Sequence, residues 1–401
     1  MKYTISIFLS IFLISVSIAQ NTNRRETISP EVLNRVIQFS QSQLKKTVAS
    51  FNDSILYPRS TDSTGNWVVA KPPDWTIGFF PGCLWYASGL TNDTLLRNDA
   101  IRWTEGLTAQ QFLTKTHDIG FIMFNSFGKG FQFQSKEEYK PILIQSAQSL
   151  MSRYNPTVGC IKSWDGRKWP YPVIIDNMMN LELLLWASKN GGTKEMYDAA
   201  VSHATKTMNN HFREDGSTYH VLDYDTLTGN VIAKVTHQGY ADESVWARGQ
   251  AWAIYGFTML YRETKDEQFL TTAEKAANWF IENLPSDFVP YWDFRSPKTP
   301  NDLRDASAAA IAASALFELS MFEKNSTNSL KYYNSAVQIL TSLCSSPYIA
   351  DGTPSQGLLN HSVGNYPKNS EMDVSIIYAD YYFLEAIQRY SNLNLKSEST
   401  H

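Results

Sequence analysis

Three cysteines in 401 residues, at positions 83, 160 and 344, are too few for a disulfide framework, and buried free thiols are the default reading. Histidine is almost as sparse, with seven scattered residues and neither HExxH nor a CxxC pair, so no metal site and no cofactor are expected. P-loop, GxGxxG and GxSxG strings are also missing, which removes the usual marks of nucleotide binding and of a serine nucleophile. Neither sign of charge prevails: 35 basic against 39 acidic residues leave a net charge of -4, with no field to draw nucleic acid or an anionic membrane. There is no linker rich in Pro, Gly or Ser, no charge run and no strict repeat, and this favours a single domain over two.

What is present begins with a leader. Lys2 precedes an apolar stretch from Ile5 to Ile18, and small residues at Ser17 and Ala19 suit cleavage near Gln20. Residues 1–19 are therefore expected to be a signal peptide that sends the chain to the periplasm or medium, and residues 20–401 the mature domain. No later run reaches the roughly 20 apolar residues of a membrane span. Helical periodicity then recurs in twelve blocks, near 30–50, 75–90, 96–114, 120–133, 137–154, 172–190, 193–211, 242–263, 266–282, 304–322, 328–345 and 373–391. Strand-like alternation is rare. Twelve helices in consecutive pairs suit an all-α fold, an (α/α)6 barrel of six helical hairpins, with inner helices apolar nearly all round. The small-residue block Asp305 to Ser320 followed by the more polar Ser329 to Leu340 has that inner and outer contrast. Two irregular stretches, about 212–241 with a hairpin turn at Thr228-Gly229-Asn230 and about 346–372, are expected to wall a cleft at one end.

Several polar residues sit where an apolar helix would not place them. Asp176 interrupts the run VIIDNMM, where desolvation should raise its pKa and keep it protonated, as a general acid requires; satisfaction by backbone or Asn177 is the competing structural reading. Asp118, in THDIGF, stands where an N-cap stands, and capping or chemistry fits it equally. THQGYADESVWARGQAW concentrates Gln238, Arg248 and Trp252, with Arg248 and Trp252 at i and i+4 offering a guanidinium fork for a carboxylate beside a flat ring for a sugar. The alternative is an interior helix whose Arg pairs with Asp242 or Glu243. Asp305 reads as a cap, and Asp380, Tyr381, Tyr382 and Glu385 as packing residues. The 53 aromatic residues, 11 Trp, 21 Tyr and 21 Phe, would serve sugar stacking or a large core about equally.

Taken in order, the strings DWTIGFFPGCLW (74–85), HDIGF (117–121), VIIDNMMNLELLLWA (173–187), DGSTYHVLDYD (215–225), THQGYADESVWARGQAWAIYGF (236–257), YWDF (291–294), RDASAAAI (304–311) and YADYYFLEA (378–386) resemble the unsaturated glucuronyl hydrolases, glycoside hydrolase family 88. The resemblance runs from about Trp75 to Tyr390 and implies an (α/α)6 barrel. It implies an enzyme that removes a 4,5-unsaturated glucuronic acid from the non-reducing end of lyase-generated oligosaccharides, glycosaminoglycan- or ulvan-type, by hydrating the C4=C5 bond. By motif, Asp176 matches the family's general acid and base and Asp118 its second essential aspartate. Trp75, His220, Gln238, Arg248 and Trp252 match positions that hold or orient the uronate. The loop 357–373 departs most from the family pattern; Ser362 and Lys368 there are candidates to face a sulfate or the neighbouring sugar. No cofactor follows, and the expected partners are unsaturated uronate oligosaccharides rather than nucleic acid or membrane, with a monomer or weak dimer as the assembly. The rival readings are an unsaturated rhamnogalacturonyl hydrolase, a polysaccharide lyase on a helical barrel, and a non-catalytic oligosaccharide-binding protein.

Overall fold

The computed structural model describes residues 24–166 and 168–398; the expected signal peptide, 1–19, lies outside them. The helices are α1 (Pro30–Ser50), α2 (Phe79–Thr91), α3 (Thr94–Glu105), α4 (Ile119–Met123), α5 (Lys129–Gln134), α6 (Tyr139–Met151), α7 (Leu181–Lys189), α8 (Lys194–Asn210), α9 (Ala247–Thr264), α10 (Glu267–Glu282), α11 (Ala306–Phe322), α12 (Ser326–Leu343) and α13 (Ile377–Glu398). A π-helical turn, Phe124–Gly128, joins α4 to α5 into one rod, so the ring holds twelve helical units.

Burial separates them as the apolar patterning foretold. Every residue of α11 from Ala306 to Ser320 is buried, and so is every residue of α9 from Ala247 to Tyr261. In α10 and α12 only one face is buried, the expected stripe of an outer helix. Inner helices α2, α4–α5, α7, α9, α11 and α13 alternate with outer helices along the chain, and packing of α13 on both α11 and α2 closes the ring. Close approach is needed between neighbours: a Cβ on Gly120 would fall on the backbone and side chain of Asn180. One continuous apolar core runs from Ile28 to Tyr390. Among the described residues no helix is long and apolar enough to cross a membrane.

Short strands are commoner than the sequence suggested. They are β1 (Tyr57–Thr61), β2 (Trp67–Ala70), β3 (Tyr154–Asn155), β4 (Cys160–Ile161), β5 (Pro172–Ile174), β6 (Val221–Tyr224), β7 (Val231–Val235), β8 (Ser362–Asn365) and β9 (Ser370–Val374). The helix expected over 172–190 is corrected: Pro172–Ile174 pairs antiparallel with β6, Ile175–Asn180 forms a 3-10 turn, and the α-helix starts at Leu181. Pro172 has no amide hydrogen, and the β-branched run Val173-Ile174-Ile175 favours an extended chain, so an edge strand wins over a first helical turn. The hairpin across Thr228-Gly229-Asn230 forms as β6–β7, completing a three-stranded sheet with β5.

Candidate active site

All six inner rods begin at the same end of the ring. Trp75 precedes α2, Asp118 precedes α4, Asp176 lies in the 3-10 turn before α7, Arg248 is in the first turn of α9, Asp305 caps α11, and Tyr378 is in the first turn of α13. Five of these line one pocket of about 300 Å³, and Asp305 stands directly behind Arg248. Helix starts carry partial positive charge, so the mouths of the long helices α9, α11 and α13 favour an anionic ligand.

Asp176 is the most perturbed carboxyl in the pocket wall. Only 9 % of the residue is exposed, and burial pushes its pKa up to about 7, with Arg248 opposing the rise and Asp118 adding to it. The structural alternative does not hold, because Asn177 donates to the Ile161 carbonyl at 2.8 Å instead and Asp176 Oδ2 is left without a hydrogen bond. Behind it stands His220. The Nδ1 of His220 accepts the backbone N–H groups of His237 and Gln238, each at 3.2 Å, so the ring proton sits on Nε2, 3.7 Å from Asp176 Oδ2. Burial holds the His220 pKa well below its ordinary value, keeping the ring neutral, and the ring packs on Trp246 at 4.4 Å.

Asp118 is not a cap. Its side chain bonds no helix N–H; it accepts Thr116 Oγ1 at 2.5 Å and lies 3.2 Å from His117 Nε2. The free N–H of Phe121 is taken instead by Asn180 Oδ1 at 2.8 Å, a bond across the ring that fixes the Asp118 turn against the Asp176 turn. Trp75 and Gln238 line the pocket as expected; Trp75 packs on Tyr378 at 5.0 Å, and Gln238 Nε2 donates to the Gly364 carbonyl at 3.0 Å.

Three of the residues expected to hold or orient the uronate are buried. His220 is buried behind Asp176 rather than on the pocket surface. Trp252 is 1 % exposed, wedged between Phe121 and Tyr382, so it offers no face to a sugar; its indole N–H favours the ionised form of Asp176 without making a close hydrogen bond. Arg248 lines the pocket as expected and is also tied into its wall. Nη1 binds Asp305 at 3.0 Å and the Val363 carbonyl at 2.6 Å, and Nη2 binds the Gly364 carbonyl at 2.7 Å. Neither Asp242 nor Glu243 is its partner. Ser362 is fully buried and Lys368 faces the pocket, so of the two loop candidates only Lys368 can meet a ligand there.

Sequence reasoning missed one aromatic residue of the pocket wall. Trp164 lines the pocket beside His237, with ring centroids 5.5 Å apart, and is backed by Trp169 at 6.1 Å. Its signal was present as two tryptophans among Gly, Asp and Pro in a loop, a place where burial alone does not explain an aromatic residue. Arg59 and Tyr378 also line the pocket, and no local pattern marks either one. The result is a concave site with a carboxyl poised near neutrality, a second aspartate, a buried cation and aromatic walls, suited to general acid–base chemistry on an anionic sugar.

Comparison with known proteins agrees with this geometry. A family model described as Glycosyl Hydrolase Family 88 matches residues 47–392. An unsaturated glucuronyl hydrolase of Formosa agariphila is 49% identical over 348 residues, covering 85% of this chain and 86% of that protein. The crystal structure of an unsaturated glucuronyl hydrolase specific for heparin superposes with a TM-score of 0.88 at 43% identity, covering 91% of this chain and 98% of the other. A variant of the Streptococcus agalactiae unsaturated glucuronyl hydrolase, complexed with dGlcA-GalNAc6S, superposes with a TM-score of 0.80 at 28% identity, covering 95% and 98%.

Proposed function

The chain belongs to glycoside hydrolase family 88, and from that premise we propose that Asp176 drives the removal of a 4,5-unsaturated glucuronic acid from the non-reducing end of lyase-generated oligosaccharides. The observation that carries this reading is the Asp176 carboxyl, raised to about 7 by burial at the foot of a pocket that also holds Asp118.

The unsaturated ring is an enol ether conjugated to a carboxylate. Protonation at C4 places oxocarbenium character at C5, water adds there, and the hemiketal opens with loss of the next sugar. Asp176 in its acid form supplies the C4 proton; as carboxylate it then accepts a proton from the water adding to C5. His220 presents its Nε2–H toward the new carboxylate from 3.7 Å away. Asp118, held in place by Thr116 and His117, stabilises the cationic ring and positions it. The inner-helix starts and Arg248 favour the uronate electrostatically. Trp75 and Trp164 present the flat faces of the site. Ultraviolet absorbance of the conjugated C4=C5 bond tests the reaction: it falls as the enzyme works on unsaturated disaccharides, and no fall on any of them would sink the reading.

A pH profile follows from the same group. The acid form is the active one, so kcat/KM is expected to be level below the Asp176 pKa and to fall about tenfold per unit once pH rises past about 7. Trp252→Phe keeps the packed ring but removes the N–H that favours ionisation. The alkaline limb should then move upward; an unmoved or downward limb would separate Trp252 from Asp176.

Export belongs to this reading as well, because the apolar stretch from Ile5 to Ile18 with small residues at Ser17 and Ala19 suits removal of a leader. N-terminal sequencing of the chain recovered outside the cytoplasm should begin near Gln20; retention of Met1 would count against it.

A further inference from the structure

Arg59 brings a positive charge into the pocket wall, and two carboxylates take all of it up. Its Nε and Nη2 reach Glu371 at 2.6 and 3.3 Å, and Nη1 reaches Asp74 at 2.5 Å. The Glu371 side chain is only 12 % exposed, less than its partner at 29 %. Asp74 has a second duty, since its other oxygen accepts the backbone N–H and hydroxyl of Thr76 and so holds the turn that carries Trp75.

The β8–β9 hairpin is built around the Glu371 carboxylate. Glu371 adopts φ +56, in the left-handed region that side chains other than Gly seldom enter, and strain of this kind concentrates at functional sites. In that conformation its side chain lies across Gly364, where any Cβ would collide with the carboxyl group. The Gly364 carbonyl is held in turn by Arg248 and Gln238. A strained residue, a glycine under it and two pocket side chains beneath that glycine all serve to keep one negative charge against Arg59.

We propose that Glu371 is a specificity-determining residue. By neutralising Arg59 it turns the pocket wall against substrates whose next sugar carries an anionic substituent and toward those that present only hydroxyls. A sulfate arriving at this wall must displace Glu371 from Arg59 or sit beside a like charge in a partly desolvated site, whereas a hydroxyl can donate to the carboxylate at no such cost. The inference rests on the proposed hydrolase activity.

The test compares two unsaturated disaccharides that differ only in a 6-sulfate on the second sugar, followed by loss of ultraviolet absorbance with the full chain, Glu371→Gln, and Arg59→Gln/Glu371→Gln. The ratio of kcat/KM for the two substrates within one variant cancels any loss of folded enzyme. Glu371→Gln is expected to raise the sulfated-to-unsulfated ratio about tenfold, mainly through KM, because Nε and Nη2 of Arg59 become available for charge-assisted bonds to sulfate while Nη1 stays on Asp74. The double variant should return it to near the wild-type ratio. Glu371→Ser must move the ratio in the same direction. An unchanged ratio in both single variants, or a gain that survives loss of Arg59, overturns the proposal while leaving the hydrolase reading intact. Failure of the wild-type chain to act on either disaccharide overturns both.

Discussion

Asp176→Asn is expected to lower kcat by about 10³-fold or more while the unsaturated disaccharide still binds, because a positioned acid contributes on the order of 10²–10⁴ and this one acts in both halves of the reaction. Asparagine keeps the volume and planarity of the side chain, so its contacts with His220 and the pocket wall survive and only the proton is lost. Stability should move the other way. The carboxyl titrates near 3.8 when free and about 7 in the fold, so the folded state holds a proton that the unfolded chain has released between these values. Stability from this group is present below the lower value and drains away as pH rises through the upper one. Asparagine has no charge to bury, and its advantage over the wild type in urea unfolding should therefore grow from pH 5 to pH 8. Calorimetric titration with the disaccharide and steady-state kinetics together check the assignment: binding lost in step with turnover, or kcat within tenfold of wild type, would remove Asp176 from the acid role.

Arg248→Met is expected to destabilise the fold by about 3–5 kcal/mol, the usual cost of leaving one partner of a buried ion pair alone, and to abolish most activity. Arg248 is 1 % exposed and Asp305 not at all, and the same guanidinium binds the Val363 and Gly364 carbonyls. Its removal strands a buried carboxylate at the start of α11 and releases the β8–β9 hairpin from the pocket. It also deletes the cation that opposes the rise of the Asp176 pKa, so residual activity should persist to higher pH. Pairing it with Asp305→Asn separates the effects: the double variant should recover much of the stability in urea unfolding but little of the activity. Full recovery of activity would mean that Arg248 matters only as a partner for Asp305.

Much of the architecture was legible because it follows from local periodicity. The unbroken apolar and small-residue run of α11 and the one-sided pattern of α12 specify an inner and an outer helix whatever surrounds them, and the same contrast repeats round the ring. Asp176 was legible for a related reason, since a carboxyl within VIIDNMM has nowhere polar to go. The strand at Pro172–Ile174 was not, because its partner β6 lies some fifty residues away and only that pairing outweighs the helical pattern after it. At Asp118 capping and chemistry stayed equal on local sequence for the same cause: the bond that takes the helix N–H comes from Asn180, 59 residues further on.

The sequence by itself therefore determined the helical ring, the acidic side chain of Asp176 set in an apolar run at the start of an inner rod, and the motifs of the family. Which side chains face the pocket was decided only by tertiary structure. Arg248 found its partners in Asp305 and in carbonyls 115 and 116 residues away, and Trp252 was drawn inside the barrel while Trp164 took the pocket wall. His220 turned its proton toward Asp176 because a backbone segment 17 and 18 residues later occupies its other nitrogen. Periodicity and burial act over a few residues and are written along the chain; the choice among possible partners for a guanidinium, an indole or an imidazole depends on how distant loops meet at the end of the barrel, where desolvation makes each unmet polar group costly and so fixes a single arrangement.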